Sequence, residues 1–207
     1  MILLWAGLIF LVLGVAALAI DRRAVHLIYD RVPLGFHKAL NATTHLAKAG
    51  HWLIAAVIAY LVTWTLLATG SADAAVKLVF RCALAFILAL GAGSAVIHTI
   101  KLLLCRRRPR DELELKQYGF IPFGFDLKRN SFPSGHSLTI FCVAVIATAV
   151  WPWGAPLWFV LALWLSLTRA LLAAHFLSDV CVGAGIGLIA SREVLVNWFP
   201  CLALGWF

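Results

Sequence analysis

Six long apolar runs constrain this chain more than any other feature, because they leave it little choice but a bundle of helices in a membrane. They lie near positions 1–20, 52–69, 79–100, 137–151, 155–174 and 180–200. Each approaches the roughly 20 residues that a helix needs to cross the hydrocarbon core of a bilayer. A mean hydropathy of +0.97 with only 13% charged residues excludes an ordinary water-soluble domain. The expected fold is therefore all-α: one integral-membrane domain over 1–207 with six transmembrane helices. The run 137–151 is short, and it crosses only if neighbouring helices bury its ends or the bilayer thins around it. In the first run, Ala17-Leu18-Ala19 has the spacing of a signal cleavage site. No Lys or Arg precedes that run, however, and it is long for a signal core, so it is read as a retained first helix.

The segments between the runs divide into plain connections and polar islands. Asp21-Arg22-Arg23 marks the membrane interface, and 24–50 alternates apolar and basic groups in the manner of an interfacial helix. His37, Lys38 and His45 are read there as a solvated face without a role, and His98 as a packing residue. Gly70 to Asp73 is turn-like, and Trp151 to Pro156 is a tight turn with interface tryptophans. Small residues at 91–95 and at Gly183, Gly185 and Gly187 allow helices to approach closely. The five cysteines, at 82, 105, 142, 181 and 201, have no C-x-x-C spacing and no paired histidine ligands. They read as packing residues, and no disulfide framework, metal, cofactor or nucleic-acid partner is expected.

Three polar islands carry chemistry. Between Lys101 and Arg129 the composition turns charged and aromatic, and 101–136 is expected to be the active-site loop. Its Arg106 to Arg110 run is a solvated juxtamembrane patch apart from the cations that turn inward. Tyr118, Phe120, Phe123 and Phe125 cover a site, border an acyl chain or anchor at the interface. Next, Pro133-Ser134-Gly135-His136 opens an apolar run, where unpaired backbone N–H groups and the helix dipole favour an anion. By itself this tetrapeptide reads equally well as a polar helix cap. Finally, Arg169 is followed by His175 and Asp179. Counting crossings places all three islands on one side of the membrane.

Taken together, Lys101-x6-Arg108-Pro109, Pro133-Ser134-Gly135-His136 and Arg169-x5-His175-x3-Asp179 resemble the three motifs of the type 2 phosphatidic acid phosphatase (PAP2) superfamily. Thr168 stands where that family usually has Ser and keeps the hydroxyl. The resemblance implies a PAP2-like helical core and metal-independent hydrolysis through a phosphohistidine. It implies His175 as nucleophile, Asp179 as the carboxylate orienting it, and His136 as general acid and then base. Lys101, Arg108, Arg169, Ser134 and Gly135 would hold the phosphate. The implied partner is a lipid phosphate within the bilayer: phosphatidylglycerol phosphate, phosphatidate, undecaprenyl diphosphate or a lipid A phosphate. A vanadium-dependent peroxidase from the same superfamily fits six membrane helices less well. A non-catalytic phospholipid-binding or transport protein that keeps an anion site is the alternative of another class. The oligomeric state is not legible.

Two indications of sidedness oppose one another. The connections on the site's side carry fourteen of the seventeen Lys and Arg residues, which by the positive-inside rule is the cytoplasmic side. The resemblance implies a bacterial inner-membrane protein whose site faces the periplasm, and that is the expectation adopted.

Overall fold

The computed structural model describes residues 1–71, 73–124 and 130–207, so Phe125 of the aromatic segment lies outside the described residues. Nine α-helices are described: α1 (Ile2–Ala17), α2 (Asp21–Arg31), α3 (Leu34–Thr44), α4 (Ala49–Ala68), α5 (Ala74–Leu104), α6 (Pro109–Leu115), α7 (Gly135–Val150), α8 (Ala155–Leu171) and α9 (Leu177–Trp198). No strand occurs among the described residues, only an isolated antiparallel bridge between Arg106 and Phe120.

Six helices fall on the six apolar runs, with shifted ends. By length and composition, three stretches can cross a membrane: Gly35–Ala68, Ala74–Leu104 and Pro152–Leu171. A fourth is added if α1 and α2, bent by 87° at their junction, form one broken span. The helix Gly135–Val150 has 16 residues and remains the short one. The expected interfacial helix over 24–50 is corrected to two helices and a 3-10 turn, His45–Ala47. Val32 is extended because the ring of Pro33 excludes helical backbone at the residue before it. The expected loop 101–136 is also shorter, since α5 continues through Lys101 to Leu104 and ends where Cys105 turns left-handed.

The bundle is organised around α9, which packs against α1, α5, α7 and α8. Lipid tails are as apolar as leucine, so helices in a membrane gain mainly by fitting closely. Glycines supply that fit. A Cβ on Gly185 would meet the Gly7 carbonyl of α1 at 2.8 Å, and one on Gly187 would meet the Leu138 carbonyl of α7 at 2.7 Å. A Cβ on Gly183 would lie 2.3 Å from the Ser134 carbonyl. Successive glycines of α9 therefore seat α1 on one face and the start of α7 on the other. Phe141, Leu138, Val145, Ala184 and Leu188 fill the space between.

Candidate active site

The loop after α5 is folded back by one side chain. Asn130 is fully buried, and its Oδ1 accepts from the backbone N–H groups of Arg106 and Phe132, each at 3.1 Å. Its amide donates to the Lys101 carbonyl. Lys101, in the last turn of α5, brings Nζ to 3.5 Å from the Asn130 carbonyl. Arg108 caps α6, and its N–H donates to Asp111 Oδ2 at 3.0 Å.

The second island meets the third through the backbone. Ser134 N–H donates to the Asp179 carbonyl at 2.9 Å, an approach that Gly183 permits. Ser134 is the N-cap of α7, and its Oγ accepts from the N–H and hydroxyl of Ser137 at 3.4 and 3.1 Å. Thus the capping role open in the sequence is the one its hydroxyl occupies. The N–H groups of Gly135 and His136 have no acceptor among the described residues. Space beside Gly135 is open, since a Cβ there would meet nothing within 4 Å. An anion can be received at this end of α7.

Between α8 and α9 the chain doubles back, with the N–H groups of Ala174 and His175 both donating to the Arg169 carbonyl at 3.0 and 3.2 Å. Five residues thus separate Arg169 and His175 in sequence while a single turn joins them in space. His175 is buried, and its Nδ1 lies 2.7 Å from the Ser131 carbonyl. That contact fixes the proton on Nδ1 and leaves Nε2 with a lone pair. Burial holds the imidazole pKa below its ordinary value; Asp179 opposes the shift, and Arg169 and Lys101 reinforce it. His136, half-buried at the start of α7, lies in the fields of Arg169, His175, Lys48 and Lys101. The predicted residues of all three islands therefore converge.

Asp179 pairs with His175 at the range of an ionic contact, and it is shared with other partners. Its Oδ2 is 3.6 Å from His175 Nδ1, within reach of an ionic contact but beyond a hydrogen bond. The same oxygen accepts from the Phe176 N–H at 2.8 Å, and Oδ1 takes Arg106 at 2.6 Å. Arg106 and Asp21, expected as a solvated patch and an interface marker, are corrected to fully buried site neighbours. Arg106 donates to Ser178 Oγ at 2.6 Å, and to Asp21 Oδ2 and the Tyr118 hydroxyl, both at 2.9 Å. Burial pulls the Arg106 pKa down, but Asp179 and Asp21 outweigh it, so the net shift is upward. From α3, buried Thr44 accepts from Arg169 at 3.1 Å.

A profile of the PAP2 superfamily matches residues 82–200, more than half of the chain. This chain belongs to the PAP2 superfamily. Two curated relatives, lipid A 1-phosphatases of Rhizobium etli and Rhizobium johnstonii, are 30% and 29% identical over 51% and 50% of this chain. The alignments span 41% and 43% of those proteins, so the PAP2 chain matches under half of their length. Among solved structures, Aquifex aeolicus LpxE has a TM-score of 0.61 at 20% identity, covering 86% of this chain and 96% of that one. A PAP2-type phosphatidylglycerolphosphate phosphatase of Bacillus subtilis also gives 0.61 at 20% identity, covering 93% and 94%. These likenesses of fold extend over more of the chain than the profile does.

Proposed function

We propose that this protein is an integral-membrane lipid phosphatase that crosses the bilayer six times, and that its site releases inorganic phosphate through a phosphohistidine. What carries the reading is the buried His175, whose Nδ1 is tied to the Ser131 carbonyl at 2.7 Å beside Lys101, Arg169 and His136. A phosphate ester repels nucleophiles, so the cations must offset its charge before attack. Lys101, Arg108 and Arg169 do so, with the free N–H groups of Gly135 and His136 completing the cradle.

In the first step Nε2 of His175 attacks phosphorus, the bond to the lipid oxygen breaks, and His136 gives that oxygen its proton. Phosphate bound among the three cations brings the negative charge that favours the acid form of His136. In the second step the neutral His136 takes a proton from water, the hydroxide attacks phosphorus, and the P–N bond breaks to free phosphate and His175. No redox partner is needed.

The substrate is a phosphate or diphosphate carried by a membrane lipid. A lipid A phosphate stands first among the candidates, supported by the likeness to lipid A 1-phosphatases. The deciding experiment is phosphate release by purified protein in detergent with EDTA, over a panel of lipid mono- and diphosphates. Release should fall by at least about a thousandfold in His175→Ala, in keeping with loss of a covalent nucleophile. Equal release by the variant would sink the phosphohistidine, and silence of the wild type on the whole panel would favour a binding protein.

A further inference from the structure

Arg106 is fully buried and joins parts of the chain that are far apart in sequence: Asp21 at the start of α2, Tyr118 in the loop, and Ser178 and Asp179 in the first turn of α9. Its guanidinium lies 4.2 Å from the centre of the Phe176 ring and 5.1 Å from that of Phe120. Apolar side chains of similar volume pack such a place as well as a buried ion pair does, and often better. Packing alone therefore gives no reason for the charge.

The charge has a definite address. Arg106 is 2.6 Å from Asp179 Oδ1, while the other oxygen of that carboxylate is 3.6 Å from His175 Nδ1. We propose that Arg106 is a positioning residue that offsets part of the charge of Asp179, so that this carboxylate pulls less on a second imidazole proton while His175 takes its orientation from the Ser131 carbonyl. A bare carboxylate at that distance would draw a second proton onto the imidazole. Nε2 would then have no lone pair for phosphorus.

The surrounding groups are consistent with this division. Lys101 of α5, His136 of α7, Arg169 of α8 and Asp179 of α9 face His175. Asp21, which the same guanidinium also holds, accepts from the N–H and hydroxyl of Ser178. It lies in the first turn of α2, where the helix dipole offsets its remaining charge. Asp179 keeps its hydrogen bond from Phe176 N–H, so the carboxylate still caps α9.

The kinetic arm of the test rests on the phosphatase reading, and the spectroscopic arm does not. Ring-labelled histidine would be titrated by NMR in detergent, with the His175 signal assigned from its loss in His175→Ala. Arg106→Gln should raise the His175 midpoint by about one pH unit or more, the usual effect of an exposed opposite charge. The acid limb of kcat/KM should move up by the same amount, and Arg106→Lys should bring both back toward wild type. The double variant Arg106→Gln, Asp179→Asn, which removes the carboxylate together with the charge that offsets it, should titrate well below Arg106→Gln. An unmoved midpoint in Arg106→Gln overturns the proposal. So does a double variant that titrates with Arg106→Gln, because the rise then owes nothing to Asp179. If Arg106→Gln does not fold, the double variant is compared with Asp179→Asn, and a midpoint well above that of Asp179→Asn overturns the proposal, since Arg106 then acts other than through Asp179. Should the wild type release no phosphate from any lipid, the phosphatase reading fails while the titration still settles the role of Arg106.

Discussion

A carbonyl oxygen, that of Ser131, is the polar atom nearest the ring nitrogen of His175, and this shapes what single residues should do. Because burial, Arg169 and Lys101 hold the imidazole pKa down, His175 stays neutral in mildly acidic solution. Phosphate release should persist below about pH 6.5, the ordinary imidazole value, and fail only as the pH falls through the lowered one. A kcat/KM profile from about pH 4 to 8 checks this, and an acid limb at or above the ordinary value would contradict it. Thr44→Val keeps the shape of the side chain but removes the acceptor for Arg169. Loss of a hydrogen bond worth about 1 kcal/mol should raise KM about fivefold and leave kcat nearly unchanged. The motif residues were legible because their spacing is regular in sequence and forced by a turn or a helix in space. Arg106 was not, since Arg107, Arg108 and Arg110 follow it closely, and only the return of Asn130 buries that one. Thr44 carries no sequence signal, and Asp21 signals only the membrane interface.

At the level of elements, the site is a consequence of how α7 is seated on α9. Gly183 allows Ser134 to reach the Asp179 carbonyl, so Gly183→Ala should push the start of α7, with His136, away from His175. Activity should fall at least about tenfold, as for other sub-ångström misplacements of a reacting group. Gly91→Ala, where a Cβ meets nothing within 4 Å, should leave it intact, and phosphate release by the two variants compares them. The apolar runs announced these helices, and the glycines at 183, 185 and 187 announced a packing face. The breaks were harder to read. One proline divides 24–50 into two helices, whereas α5 passes straight through Lys101 because nothing in its sequence stops a helix before Cys105.

For the whole molecule, six crossings with the site toward the periplasm is a claim about sidedness, and cysteine labelling can test it. Lys116, exposed beyond α6, lies on the side of the site; Cys201, exposed after α9, lies on the other. In spheroplasts an impermeant maleimide should modify Lys116→Cys at once, and Cys201 only after permeabilisation. The reverse order would put the site in the cytoplasm, where the distribution of positive charges alone would have it. One more property follows from how little protein surrounds part of the molecule. Helix α4 has Thr63 as its one buried residue and leans chiefly on α5, yet the 3-10 turn just before it follows Thr44, which touches Arg169. At 1.5 Å per residue its 20 residues are about 30 Å long, the thickness of a hydrocarbon core. Such a rod answers to bilayer thickness by changing its tilt, and the grip on phosphate is thereby tied to the length of the acyl chains around the protein.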